Sequence, residues 1–185
     1  MTSPIVVGVD PGGKGAFALY RPGFYAPPAP PGMKRAAAPQ LMLWDMPTKK
    51  VQVSRNTEKT VVDLFALHAL AQLLVGTMGA QRVIIEKVGG MPGQGSGFTF
   101  GWNTGIVHMA FIAAGIEPET LAPTRWKNEM KLDKDKNKSV FMADELFPAH
   151  VAEFRAPNKA KKGAFVVRKD RAEAALIAYW GATHP

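Results

Sequence analysis

Two short apolar runs in this chain each end on a carboxylate. Ile5-Val6-Val7-Gly8-Val9 ends at Asp10, and Arg82-Val83-Ile84-Ile85 ends at Glu86, followed by Lys87. Runs this short, rich in β-branched residues and without polar alternation, read as buried central strands. If the two strands are neighbours, both acids lie side by side at one edge of a sheet.

The rest of the chain is read around that pair. Asp10-Pro11-Gly12-Gly13 turns the chain, and Gly15 to Tyr20 returns as a second strand in hairpin contact. Residues 21–39 contain six prolines and read as an irregular arm. Leu41 to Trp44 is a third strand. Thr60 to Met78 is apolar, rich in Ala and Leu, and predicts a buried helix. Gly89 to Gly101 reads as a glycine-rich loop carrying Met91, Phe98 and Phe100. A helix over Trp102 to Ala114 and a short strand at Glu119 to Leu121 follow. Pro123-Thr124-Arg125 starts another helix with Thr124 as its cap, and Lys138 to Phe147 is amphipathic. Residues 154–168 read as a basic loop, and Arg171 to Gly181 as a last helix entered through Lys169-Asp170. Early strands in hairpin contact, followed by alternating helices and strands, imply an α/β fold with a mixed sheet. The expectation is one domain over residues 1–185.

Charge narrows the partner. Lys and Arg number 23 against 15 Asp and Glu, a net +8, and residues 124–171 alone carry 13 basic and 7 acidic side chains. A basic segment on a folded domain suits a phosphate backbone, although a solvated lysine-rich surface has the same composition. The chain has no cysteine, so a disulfide scaffold, a thiolate metal site and a cysteine nucleophile are excluded. Its four histidines show no zinc spacing, and His108 reads as a core residue. The first apolar run is too short for a signal peptide, and glycines break the uncharged stretch from Val88 to Ile116. The expectation is a soluble, cytoplasmic protein without a membrane span.

The acids carry the chemistry. Asp170 and Glu173 stand three apart and share one helical face. If that helix crosses the edge holding Asp10 and Glu86, four carboxylates meet, and they cannot crowd together without cations. Hard oxygen ligands select Mg²⁺ or Mn²⁺, and two such ions serve phosphodiester hydrolysis. Each acid also has a plainer reading. Asp10 before Pro-Gly suits a type I turn, Glu86 beside Lys87 suits a strand-end ion pair, and Asp170-x-x-Glu173 has the form of a capping box.

Two glycine motifs are set aside. Gly8 to Lys14 has the spacing of a phosphate-binding loop, but Gly15 supplies no hydroxyl and Pro11 removes a backbone donor, so no nucleotide cofactor is expected. Gly93-Gln94-Gly95-Ser96-Gly97 does not complete a dinucleotide fingerprint. Phe98 and Phe100, beside a basic surface, can stack on exposed bases or pack back onto the core.

The ordered set GVDPGGKGAFAL, VIIEKV with its glycine and aromatic loop, APTRWKNEMKL with KDKNKSVFMADELFP, and KDRAEAALIA resembles the RuvC-type Holliday junction resolvases of the ribonuclease H-like superfamily. That resemblance implies an α/β, ribonuclease H-like mixed five-stranded sheet with helices on both faces. It implies a magnesium-dependent endodeoxyribonuclease, a homodimer, that nicks Holliday junctions and other branched DNA and leaves 5′-phosphate ends. Asp10, Glu86, Asp170 and Glu173 fall at the family's catalytic and metal-holding positions, with two Mg²⁺ ions per site and Mn²⁺ as a substitute. Lys127, Lys131 and Lys138 fall where family lysines contact junction phosphates. Phe98 or Phe100 corresponds to the aromatic at the junction centre. Arg125, Lys159, Lys161 and Lys162 extend the expected DNA surface. The D-x-x-E ending is closer to the phage branch, whose members cut a broader range of branched DNA and act in the host cytoplasm. A nuclease for RNA–DNA hybrids or flaps, and a branched-DNA binding module without catalysis, remain as rivals. An actin-like ATPase needs two lobes, and this chain is too short for them.

Overall fold

The computed structural model describes residues 3–23, 40–87, 96–133, 136–158 and 164–184. Its central sheet has five strands in the order β3-β2-β1-β6-β7. These are β1 (Val6–Asp10), β2 (Ala16–Tyr20), β3 (Leu41–Asp45), β6 (Arg82–Glu86) and β7 (Glu119–Leu121). The β1–β2 and β2–β3 pairs are antiparallel, while β6 runs parallel to both β1 and β7. The mixed sheet expected from the sequence is therefore present.

The two-residue period of the central strands sorts the core into two layers. Val7 and Val9 of β1, with Val83 and Ile85 of β6, face α1 (Leu64–Gln72) and α2 (Ser96–Ala113). Val6 and Ile84 face the other way, toward α5 (Lys169–Thr183), with α3 (Pro123–Glu129) and α4 (Lys136–Leu146) completing that layer. Both faces of the sheet are thus covered. By the same alternation Asp10 and Glu86 belong to the α5 face.

The helix α5 is buried nearly all round, from Ala172 through Ala182, because α4 packs on its outer side. Its five buried alanines let it lie close to the sheet. Gly8 of β1 permits that approach: a Cβ there would stand 2.3 Å from the Ala174 carbonyl oxygen and 2.4 Å from the Ala178 nitrogen. Burying Leu176 and Ile177 contributes about 1.5–3 kcal/mol each. At the far edge, Arg82 forks onto Glu119 at 2.8 Å through both Nε and Nη2. Its Nη1 donates to the Gly181 carbonyl at 2.5 Å, tying β6, β7 and the end of α5 together.

Several elements differ from the sequence reading. The expected helix from Thr60 begins only at Leu64, because Asp63 caps it, its Oδ1 accepting from the Phe65 and Ala66 amides at 3.1 and 3.3 Å. The β-branched residues before it belong instead to a two-stranded ribbon, β4 (Thr48–Ser54) with β5 (Thr57–Val62), which the sequence reading missed. Only one face of α1 is buried; Phe65 is open to solvent, and the helix ends in a wider π turn over Leu73–Thr77. Ser96 already lies in α2, so Phe98 and Phe100 sit on a helix and not on a loop. Ala122, not Thr124, is the N-cap of α3, with Pro123 at the first helical position. The expected basic loop holds the end of a 3₁₀ turn (Pro148–Phe154) and a small hairpin, β8 (Arg155–Pro157) with β9 (Phe165–Val167). Most of the proline arm, Met91 and the lysines at 159, 161 and 162 lie outside the described residues.

Candidate active site

The register of β1 against β6 pairs Val9 with Ile85, so Asp10 and Glu86 follow as the next residues at the same edge. The first turns of α5 lie over that edge and carry Asp170 and Glu173. All four acids that the sequence singled out are brought together: the Asp10 carboxyl feels the charges of Glu86, Asp170 and Glu173. Burial is the largest influence on it and pushes its pKa up. The Gly12 amide opposes this, the three neighbouring acids add to it, and the carboxyl is held at about 7.

The backbone after Asp10 is built to hold this side chain. Its Oδ1 accepts the Gly12 amide at 3.0 Å, and the Gly15 amide closes the turn on the Gly12 carbonyl at 2.8 Å. A Cβ at Gly15 would stand 2.0 Å from the Asp10 carbonyl oxygen, so this turn needs glycine there. The hydrogen-bonded turn thus closes over Gly12–Gly15 and not from Asp10 as expected; Asp10 takes part through its side chain, which accepts the Gly12 amide.

Glu86 is oriented by an element the sequence reading did not connect to it. The buried indole of Trp126 donates from Nε1 to Glu86 Oε1 at 2.9 Å. Burial raises the Glu86 pKa. The Lys127 charge lowers it, Glu173 raises it, and the indole bond lowers it. The strand-end pair with Lys87 is not what holds Glu86. Nor is Asp170-x-x-Glu173 a capping box: the N-cap of α5 is Arg168, no side chain caps that end, and Asp170 stands inside the first turn.

Lys127 is turned inward. Its Nζ lies 2.8 Å from Glu173 Oε1 and 3.9 Å from Glu86 Oε1. The buried Ser139 hydroxyl donates to the same Glu173 oxygen at 3.2 Å. Lys127 had been expected on the phosphate-facing surface, yet here it bridges two carboxylates. Trp126 and Lys127, adjacent on α3, both reach Glu86, so α3 closes this side of the site.

The other expected DNA contacts lie further out. Phe98 is 81% exposed and stacks on Trp102 at 6.5 Å between centroids; Phe100 is also exposed. Arg125 lies over the Trp180 ring at 5.1 Å and reaches Glu129 at 3.4 Å. Lys131 is exposed in a left-handed backbone conformation, φ 57°, and Lys138 pairs with Asp133. Burial lowers the pKa of His108, which is half-buried on α2.

A cleft of about 420 Å³ opens beside Asp170, lined by Lys14, Thr48, Thr60, Arg168 and Arg171. Asp45, at the end of β3, gathers the two arginines: Arg168 Nη2 at 2.5 Å and Arg171 Nε at 2.6 Å. Burial acts upward on the Asp45 pKa, but the bonds and charges of Arg171 and Arg168 outweigh it and hold the carboxyl low. Neither arginine was singled out from the sequence.

The donor set is all carboxylate oxygen, the chemistry that suits a hard divalent ion. Burial, with the neighbouring charges of Glu86, Asp170 and Glu173 adding to it, raises the Asp10 pKa to about 7. Among the described residues, however, no three acids stand in metal-holding geometry, and Glu86 and Glu173 both face Lys127. The residues fit such an ion by kind and by charge, with Lys127 facing two of the four acids.

No protein-family model matches the chain, and no curated protein matches it in sequence. Solved structures that share its fold include two of RuvC. A Thermus thermophilus RuvC structure aligns at 16% identity and a TM-score of 0.52, covering 97% of this chain and 96% of that one. T. thermophilus RuvC in complex with a Holliday junction substrate aligns at 15% identity and a TM-score of 0.51, covering 95% and 94%. The ribonuclease H-like fold expected from the sequence is the fold observed. Among the described residues, no helix is long and apolar enough to cross a membrane.

Proposed function

We propose that the chain is a metal-dependent, structure-selective DNA endonuclease that nicks four-way junctions and related branched DNA. One observation carries this reading: four acids from β1, β6 and α5 are drawn to a single sheet edge, where the Asp10 carboxyl feels the charges of the other three. A structural protein gains nothing from that arrangement, and a plain DNA-binding module would be weakened by it. The fold likeness to RuvC, one structure of which holds a Holliday junction, supports branched DNA as the substrate class.

Asp10, Glu86, Asp170 and Glu173 would hold the ions, Mg²⁺ or Mn²⁺. When bound, these supply a more acidic water and charge neutralisation at the scissile phosphate. The chain's own groups do the rest. The Gly12 amide and the Trp126 indole fix the Asp10 and Glu86 carboxylates. Lys127 pairs with Glu86 and Glu173 and brings a positive charge to the place where a phosphate must come. Lys14, Arg168 and Arg171 line the adjoining cleft, where the strand leaving the site would lie.

A four-way junction has two-fold symmetry, so two copies acting together reach two strands. The outer face of α2 suits a second copy. Trp102, Met109 and Ile112 form an exposed apolar stripe, 58%, 60% and 48% exposed, at spacings of seven and three. Gly105, between them, has nothing within 4 Å of a Cβ position and admits close approach. The D-x-x-E ending favours the phage-like branch, with broad branched-DNA selectivity.

The test is a substrate panel of immobile four-way junction, matched linear duplex and RNA–DNA hybrid, each with Mg²⁺ or EDTA. Nicking of the junction alone, lost in EDTA, is expected. Preferred cutting of the hybrid would move the protein to the ribonuclease side of the superfamily. Binding without cutting would make it a recognition module.

A further inference from the structure

We infer that the β4–β5 ribbon is a DNA-gripping arm that lies along one duplex arm of the substrate and holds its backbone phosphates. This rests on the nuclease reading above and extends it to a surface that no part of the catalytic cluster requires.

Three observations point the same way. First, the ribbon stands clear of the core except at Val62. Neither strand joins the central sheet, and almost every residue from Thr48 to Val61 is exposed. An isolated two-stranded ribbon is marginal in water. This one is anchored at its base, where the Asp63 amide donates to the Pro47 carbonyl at 2.9 Å and Val62 is buried in the core. Second, its charge is one-sided. Lys49, Lys50, Arg55 and Lys59 face a single acid, Glu58, a net +3 over Thr48–Val62. Lys50 meets Glu58 at 3.0 Å and Lys49 meets Asp63 at 3.7 Å, both solvent-screened pairs of little strength. Among the described residues no carboxylate pairs with Arg55 or Lys59. Third, the ribbon rises beside the catalytic edge. Thr48 and Thr60, at its base, line the same cleft as Asp170, Lys14 and Arg168.

The dimensions suit a duplex. Seven residues of strand extend about 23 Å, or roughly seven base steps, and a two-stranded ribbon is narrow enough for a major groove. Lysines on open strand edges also discourage edge-to-edge pairing between copies. That purpose alone would not place them next to the cleft, and it predicts no loss of DNA binding when they are neutralised.

The experiment uses the full chain in EDTA, with a labelled immobile four-way junction and a labelled linear duplex, titrated at several KCl concentrations. Lys50→Gln/Arg55→Gln/Lys59→Gln is compared with wild type, and thermal melting checks that the fold is kept. At least tenfold weaker junction binding is expected. The slope of log K against log[KCl] should flatten by about 2–3, at roughly 0.9 per lost phosphate contact. Because the chain has no cysteine, Asn56→Cys provides one thiol at the ribbon tip for a tethered iron chelate. It should cut the DNA within a duplex arm. Equal affinity and equal slope, or a change in oligomeric state alone, would overturn the inference while leaving the nuclease reading in place. Wild type that bound duplex as well as junction, with both lost in the variant, would support the ribbon and count against structure selectivity. No binding to either DNA would overturn both.

Discussion

Lys127 Nζ stands 2.8 Å from Glu173 Oε1, so a cation belonging to the chain already sits among the carboxylates of the candidate site. Its ammonium also faces Glu86 at 3.9 Å. The pair is largely shielded, with Lys127 26% exposed and Glu173 15%. A divalent ion entering the cluster would compete with that ammonium for the same oxygens.

Lys127→Met should therefore destabilise the metal-free protein by about 1–2 kcal/mol, since it leaves two shielded acids without their counter-charge. The increase in Tm on adding Mg²⁺ should grow. Melting curves in EDTA and in Mg²⁺ read both effects. A variant as stable as wild type in EDTA, with the same Mg²⁺ response, would show that Lys127 does not balance the cluster.

The Asp10 carboxyl predicts how stability depends on pH. Its pKa is raised in the folded chain from 3.8 to about 7, so the folded state holds a proton that the unfolded state releases. The associated stability is complete below pH 4 and is lost as pH rises through 7. It amounts to at most about 4 kcal/mol. Metal-free protein should lose this contribution between pH 4 and pH 8, and Asp10→Asn should flatten that part of the profile. Urea unfolding across that range in EDTA measures it.

Gly8→Ala tests how α5 delivers its acids. The added methyl would meet the Ala174 carbonyl oxygen at 2.3 Å, which is backbone and cannot swing aside. The helix must lift from β1, at a cost of about 2–3 kcal/mol, carrying Asp170 and Glu173 away from Asp10. Tm should fall, and nicking should fall further than the stability loss explains. An unchanged Tm would mean that the close approach is not needed.

The proposed second copy is tested on α2. Met109→Glu with Ile112→Lys places charge on the exposed stripe without touching the core. Sedimentation should show a dimer for wild type and a monomer for the variant, with Tm unchanged for the fold of each copy. A monomeric wild type would contradict the proposed assembly.

Much of this was legible in the sequence because it depends on local pattern. The runs ending at Asp10 and Glu86 are buried on both faces, so they read as central strands, and their shared sheet edge follows once they pair. What stayed hidden depends on contacts distant in sequence. Trp126 reaches Glu86 across 40 residues, and Arg168 reaches Asp45 across 123. No local signal marks either. The β4–β5 ribbon was missed for a different reason. It has Val51 and Val53 in alternation and an Arg55-Asn56 turn, but it ends in Thr60-Val61-Val62 directly before an apolar helix. The helical pattern absorbed those three residues, and the Asp63 cap that separates them was passed over. For α5 the period itself was blurred, because burial on nearly all sides leaves no polar face to mark.

The proposed place of Asp10 in a catalytic cluster for phosphodiester cleavage is tested most directly by one comparison. Wild type and Asp10→Asn are each measured on the same immobile four-way junction, for binding in EDTA and for nicking in Mg²⁺. Wild type should make paired nicks on symmetry-related strands. The variant should lose at least about 10³-fold in rate, comparable to removing a principal catalytic group, with junction affinity equal or tighter because one negative charge beside the phosphates is gone. An Asp10→Asn variant that nicks at the wild-type rate would contradict a catalytic role for this cluster.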